Sequence, residues 1–167
     1  GLRWMRYTKC IQAACASPDV HTVITDSLTS VSEYLIDHIM RTEGQKQMRI
    51  QDWQPFKFML SRMVNYMRLT GKLIIMTAHE SVEKDEVDGI IKYFVMVPSR
   101  LKDTFAGMFS DAWRMECEQI GSNYKYQVRT KPTVRFALGT SILNMPPVIP
   151  ATWEDIAKYA PQLNPKS

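Results

Sequence analysis

Two short stretches decide the fold class: Thr22-Val23-Ile24-Thr25-Asp26-Ser27 and Leu73-Ile74-Ile75-Met76-Thr77-Ala78-His79-Glu80. Each is a run of apolar or β-branched residues that ends in polar side chains, which is typical of a strand buried in a parallel sheet. Between them, apolar residues recur at helical spacing in residues 28–39 and again in residues 53–69. The order of strand, two helices and strand predicts a right-handed parallel crossover that is covered on both faces.

The sequence also predicts the helix before the first strand and the connection between the two helices of the crossover. Residues 2–16 predict a helix that stops before Ser17-Pro18-Asp19, and the polar residues 41–52 predict an exposed connection. Asp52 is a candidate N-cap for the second helix of the crossover, because Asp is a preferred residue at that position.

The C-terminal half predicts a different arrangement. Two strands joined by a turn at Gly121-Ser122-Asn123 predict an antiparallel hairpin, and Thr152 with Asp155 has the spacing of a helix cap. The remaining predictions are a loop or small hairpin in residues 81–92, a strand in 93–97, a short helix in 100–109 and the hairpin strands in 111–118 and 124–130. The predicted fold is α/β, a mostly parallel sheet flanked by helices with a C-terminal antiparallel hairpin.

Length and composition set broad limits. The 167 residues, 45% of them hydrophobic, predict a single domain, with a core in about residues 20–136 and a tail in 137–167. No stretch reaches the roughly 18 apolar residues of a membrane helix, and the start has no secretory pattern. Three cysteines form no disulfide framework, so we expect a reducing, cytoplasmic setting. The net charge of +4 is compatible with an anionic partner.

The polar ends of the two predicted strands are candidate site residues. The carboxyl ends of parallel strands share one edge of the sheet, where α/β proteins bind ligands, so Asp26 and the Thr77-Ala78-His79 segment are expected to converge. Asp26 can hold Mg²⁺ through water beside a nucleotide, or it can simply cap the helix that follows. His79 is either a hydrogen-bonded histidine at a strand end or a catalytic or sensing group.

The order of these segments resembles a known family. Thr-Val-Ile-Thr-Asp-Ser-Leu-Thr, two amphipathic helices, Leu-Ile-Ile-Met-Thr-Ala-His-Glu, a charged loop, Phe-Ser-Asp-Ala-Trp-Arg-Met-Glu and Tyr-Gln-Val-Arg-Thr-Lys-Pro follow one another from about Val20 to Phe136. This succession is similar to that of the phage nucleotide-binding proteins of the RecA-like P-loop ATPase class, some of which are single-strand annealing recombinases. The resemblance implies a RecA-like core, ATP and Mg²⁺ as cofactors, single-stranded DNA as a partner and a homo-oligomer.

The resemblance also implies roles for individual residues. Asp26 would be the Walker B carboxylate that holds Mg²⁺ through water, with Ser27 beside it, and Thr77 to His79 would sense the γ-phosphate. The loop from Glu80 to Lys92 would face a central DNA channel, although its five acidic residues make it a poor phosphate binder by itself.

Three basic residues after the predicted hairpin complete the candidate set. Arg129, Lys131 and Arg135 would reach the nucleotide of a neighbouring subunit, where positive charge stabilises the transferred phosphoryl group. The alternative is that they are solvated surface charges.

The motif G-x-x-x-x-G-K-[ST], whose backbone donors and lysine cradle phosphates, does not occur. The only Gly-Lys pair, Gly71-Lys72, has no glycine five residues before it and is followed by Leu73. Either the chain is the C-terminal portion of a longer ATPase, or it is a relative that has lost this part; both explanations predict that the chain alone is inactive.

Two functions therefore stay open from the sequence. One is an ATP-dependent DNA-recombination protein, and the other is a non-catalytic RecA-like module that binds a partner or nucleic acid through tryptophans, which are favoured at interfaces. A zinc hydrolase is disfavoured, because the three histidines and three cysteines lack ligand spacing.

Overall fold

The computed structural model describes residues 1–87, 89–98, 101–102 and 104–161. They form two compact units, Gly1–Glu80 with Val95–Lys102 and Ser81–Phe94 with Asp103–Ser167. The prediction of a single domain stays a prediction. The described residues include four α-helices, α1 (Leu2–Ala16), α2 (Leu28–Thr42), α3 (Trp53–Arg68) and α4 (Trp153–Tyr159). They also include seven strands, β1 (Thr22–Thr25), β2 (Leu73–Met76), β3 (Glu80–Lys84), β4 (Ile91–Val95), β5 (Arg114–Ile120), β6 (Asn123–Arg129) and β7 (Val148–Pro150).

The first unit contains the predicted crossover. β1 and β2 pair in parallel, with a register that runs from Thr22 opposite Leu73 to Thr25 opposite Met76. The two helices between them bury the faces that their periodicity predicts. Their fully buried side chains include Leu35 of α2 and Phe56, Leu60, Val64 and Met67 of α3. The prediction of a parallel pair connected by two helices is confirmed.

The parallel sheet is smaller and less covered than predicted. Only β1 and β2 are recorded as a parallel strand pair among the described residues, so the expectation of a mostly parallel sheet is wrong in extent. Ile24 is 63% exposed, whereas its neighbours Val23 and Thr25 are buried. Successive side chains of a strand point to opposite faces, so one face of β1 is open to solvent. The predicted covering of both faces is wrong for this strand.

Asp52 occupies the N-cap position of α3, as predicted, but its carboxylate has other partners. It lies in a short 3₁₀ turn, Ile50–Asp52, and its side chain does not cap α3. Instead the buried carboxylate accepts hydrogen bonds from the Arg49 backbone N–H at 2.7 Å, from the Arg49 guanidinium at 3.1 and 3.2 Å and from the Gln45 amide. The Arg49 side chain is the main cause that lowers the pKa of Asp52 to about 2.

We expect the Asp52 cluster to make the fold sensitive to acid. Because the folded pKa of about 2 lies below the unfolded value of about 3.9, the stabilisation is complete above about pH 5 and is lost progressively as the pH falls towards 2. Asp52→Asn should therefore lower the melting temperature at pH 7 and lessen its fall between pH 4 and 2, as measured by circular dichroism. Asp19→Asn is the matched control, since Asp19 is exposed. An unchanged acid dependence in Asp52→Asn would contradict this account.

The second unit is built on antiparallel strands. β5 and β6 pair from Arg114 opposite Arg129 to Ile120 opposite Asn123, and Gly121 supplies the positive φ of +62° that the turn requires. The predicted hairpin is confirmed with slightly shifted bounds. β7 pairs with the end of β6 and was not predicted. A buried cluster lies under this sheet and consists of Val128, Ile142, Met145, Ile149 and Ala160.

Three further segments can be compared with their predictions. β3 and β4 are consecutive strands that form a two-stranded sheet, which agrees with the hairpin and not with the loop among the alternatives for residues 81–92. The short helix predicted in residues 100–109 is described as a 3₁₀ turn, Phe105–Met108, while Arg100 and Asp103 lie outside the described residues. α4 begins as predicted, with the Thr152 hydroxyl accepting from the Asp155 N–H. No described helix has the length and apolar character needed to cross a membrane.

Candidate functional site

Polar side chains meet where β1 and β2 end. Asp26 follows β1 and Thr77 follows β2, and the parallel register brings both to the same edge of the sheet. The Thr77 hydroxyl donates a hydrogen bond to Oδ1 of Asp26, and the Thr77 backbone N–H donates to the Thr25 carbonyl at 3.0 Å. Both polar side chains are exposed to solvent. The predicted convergence at one edge of the sheet is confirmed for Asp26 and Thr77. We call Asp26, Thr77 and the neighbouring His79 the rim.

Asp26 is not the N-cap residue of α2. Ser27 is the N-cap residue of α2, and its Oγ accepts from the Ser30 N–H at 3.4 Å. The peptide bond between Asp26 and Ser27 is cis. Oδ2 of Asp26 accepts no hydrogen bond from the described part of the chain, so it remains open to solvent. The carboxylate is thus oriented through one oxygen and available through the other.

The residue before Asp26, Thr25, is buried and anchored to α1. Thr25 is almost fully buried, and its hydroxyl shares a 2.9 Å hydrogen bond with the phenol of Tyr7 in α1. Burial is the main cause that raises the pKa of Tyr7, so the phenol stays protonated at neutral pH. This bond ties α1 to the last residue of β1 and so holds the strand end from which Asp26 projects.

The backbone of His79, and not its imidazole, makes the recorded bonds. Its N–H donates to Oγ1 of Thr29 at 3.1 Å, and its carbonyl accepts from the Met96 N–H at 2.8 Å. Thr29 in turn donates its hydroxyl proton to the Met96 carbonyl at 3.2 Å. The exposed imidazole bonds to none of the residues that the structure describes. The sensing role of His79 stays a prediction.

Thr29 is a residue that the sequence analysis missed. It lies three residues after Asp26, in the first turn of α2, and its single hydroxyl links His79 to Met96. The partners are 50 and 67 residues away along the chain. The only signal in the sequence was a threonine in the first turn of a helix that follows a candidate site, which is a weak one.

The three basic candidates belong to the second unit. Arg129 forms a bidentate ion pair with Glu116, from Nε at 2.7 Å and Nη2 at 3.1 Å, and this pair is the main cause that lowers the pKa of Glu116. Lys131 is half-buried and Arg135 is exposed. Their roles beside a nucleotide stay predictions.

The carboxylate of Asp26, with the Thr77 hydroxyl beside it, is the kind of oxygen ligand that Mg²⁺ prefers. The described residues contain no group of three or more His, Cys, Asp or Glu side chains that would bind a metal directly. This donor set fits an ion held through water by a single aspartate. It does not include a phosphate cradle, because the sequence has no P-loop motif.

Comparison with known proteins identifies the family of this chain. A family model described as an AAA domain matches residues 5–140, which is more than half of the chain and includes the whole rim. A search of curated proteins found no match, and a search of solved structures found none. By this match, the chain belongs to the AAA domain family of nucleotide-binding ATPases.

Proposed function

We propose that this chain supplies the magnesium-holding rim of an ATP-hydrolysing protein that acts in phage DNA recombination of the single-strand annealing type. The protein would work as a homo-oligomer on single-stranded DNA. The observation that carries the proposal is the hydrogen-bonded pair of Asp26 and Thr77 at the shared end of two parallel strands, in a chain of the AAA domain family. The DNA and phage parts rest on the resemblance in the order of sequence segments.

Each rim residue has a distinct role in this proposal. Asp26 would hold Mg²⁺ through water, and the bound ion would neutralise charge that develops on the phosphates. Thr77 orients the carboxylate by donating to Oδ1, which leaves Oδ2 for the water shell. His79, with its backbone fixed by Thr29, would present its imidazole towards the γ-phosphate.

Other residues would complete the site. Ser27 fixes the start of α2 behind Asp26. Arg129, Lys131 and Arg135 would act on the nucleotide of a neighbouring subunit, where a guanidinium stabilises the transferred phosphoryl group. For Arg129 this requires release from Glu116, whose two oxygens now hold it.

We expect Mn²⁺, used in place of Mg²⁺ together with ATP, to bind at the Asp26 rim. In an NMR titration the amide signals of Ser27 and Thr77 should broaden at about millimolar Mn²⁺, because a site with one carboxylate is weak. Asp26→Asn should remove that broadening. Glu154→Gln is the control, since Glu154 is an exposed carboxylate in α4. Broadening that persists at Ser27 and Thr77 in Asp26→Asn would overturn the proposal.

The second candidate is a non-catalytic interaction or nucleic-acid-binding module. The observation in its favour is the absence of a P-loop motif from the 167 residues. It predicts no Asp26-dependent metal broadening, so the same titration separates the two functions.

A further inference from the structure

The positive charge of the chain is concentrated around α3. Residues 44–72 contain one acidic residue, Asp52, against six basic ones: Lys46, Arg49, Lys57, Arg62, Arg68 and Lys72. Their net charge of +5 exceeds the +4 of the whole chain. Asp52 is buried and ion-paired with Arg49, so these two charges largely cancel and the excess comes from the other five cations. Polyanions are therefore the partners that this segment attracts.

The side of α3 that faces away from the core carries exposed apolar and aromatic residues. Phe58 is 63% exposed and Leu69, directly after the helix, is 87% exposed. Arg62 and Leu69 follow Phe58 by four and eleven positions, and residues at these spacings lie on the same side of a helix. Arg62 therefore lies between Phe58 and Leu69. Tyr66, also exposed, borders the same side. We call Phe58, Arg62, Tyr66 and Leu69 the outer face of α3.

Arg62 is available to a ligand. It is exposed, forms no ion pair with another described residue, and α3 contains neither Asp nor Glu. Isolated exposed cations usually do no more than keep a protein soluble. Arg62, however, is flanked by the solvent-exposed rings of Phe58 and Tyr66. A cation between exposed aromatic rings is typical of surfaces that bind single-stranded nucleic acid.

We propose that the outer face of α3 binds single-stranded nucleic acid. Bases would stack on Phe58 and Tyr66, while Arg62 and its basic neighbours would bind the phosphates. This inference rests on the proposed single-stranded DNA partner and adds the surface on which the strand lies. It does not depend on nucleotide, because the outer face contains no residue of the Asp26 rim.

Three other occupants fit this face less well. A duplex hides its base faces, so Phe58 and Tyr66 would gain no stacking from it. A second copy of the chain would bring two segments of charge +5 together. An anionic membrane would have to take up Phe58 and Leu69 together with Arg62 between them, while the broad apolar side of α3 is already buried in the core.

The test is fluorescence anisotropy with labelled oligonucleotides of 20 thymidines or 20 uridines, without nucleotide, over a series of salt concentrations. The two oligonucleotides tell DNA from RNA as the source of the strand. The double variant Phe58→Ala with Arg62→Gln should bind the preferred strand at least about 10-fold more weakly, since one stacked base and one phosphate contact are lost. Arg62→Gln alone should reduce the salt slope by about 1.

The hairpin of the second unit supplies matched controls. Tyr124 is 63% exposed, as Phe58 is, and Lys125 is an exposed cation beside it. Tyr124→Ala and Lys125→Gln should leave the affinity within about two-fold of the wild type. Binding by the wild type that neither Phe58 nor Arg62 affects overturns this surface but leaves the DNA partner in place. No binding at all, or stronger Phe58-dependent binding to anionic vesicles, overturns both, whereas the Mn²⁺ titration reports on the Asp26 rim separately.

Discussion

Asp26→Ala should lower the rate of ATP hydrolysis about 100- to 1000-fold once the chain is provided with a phosphate-binding loop. The experiment joins a strand, P-loop and helix segment ahead of Gly1 and measures phosphate release with Mg²⁺ and ATP. Asp26 is expected to be decisive because it is the carboxylate at the rim, with Oδ1 held by Thr77 and Oδ2 open. Without this carboxylate the proposed ion would be lost, and the Thr77 hydroxyl cannot replace the charge stabilisation that the ion would supply.

Two controls sharpen this prediction. Asp19→Ala removes an exposed carboxylate from the loop before β1 and should leave the rate unchanged. The 167 residues by themselves should show no hydrolysis, because they lack the backbone donors and lysine of a P-loop. Hydrolysis by the chain alone, or full activity in Asp26→Ala, would contradict the assignment of the rim.

The rim could be predicted from the sequence because it depends on two local patterns. Apolar runs that end in Asp26 and Thr77 predict strands whose polar ends meet, once the helices between them fix a parallel connection. The choice between an ion-holding and a capping Asp26 could not be made this way. Asp and Ser are equally good caps, and only the structure shows that Ser27 is the cap, because its Oγ accepts from the Ser30 N–H while the Asp26 carboxylate accepts from Thr77.

The features that the sequence did not reveal depend on distant neighbours. The bonds of Thr29 join residues 50 and 67 positions away, which no local pattern encodes. The exposure of Ile24 was missed because an apolar run does not tell whether each face of a strand is covered. β7 was missed because Pro146, Pro147 and Pro150 disfavour a strand, and it forms only as a three-residue partner of β6.

The bonds of Thr29 give the rim a connection to the rest of the first unit. α2 follows Asp26 and its N-cap residue Ser27, and Thr29 in its first turn holds the backbone at His79 and Met96. These two positions lie immediately before β3 and immediately after β4. Thr29 therefore connects the start of α2 to the two residues that flank β3 and β4.

Phe56→Ala should destabilise the first unit by about 3–5 kcal/mol, the largest effect on stability that we expect from a single substitution. Phe56 is 0% exposed and lies on the inner side of α3, where its ring meets that of Trp53 edge-on with centroids 5.7 Å apart. Phe58→Ala, two residues later on the same helix, should change the free energy of unfolding by no more than about 0.5 kcal/mol. Urea denaturation followed by tryptophan fluorescence measures both.

The contrast between these two variants decides more than stability. If Phe58→Ala costs as much as Phe56→Ala, then Phe58 is packed against the protein in solution and is not available to stack on a base. A loss of strand binding in Phe58→Ala would then reflect unfolding. If Phe58→Ala leaves the unfolding curve unchanged while it weakens strand binding, the ring contacts the ligand directly, because a substitution that does not alter the fold can act only through the surface that it removes.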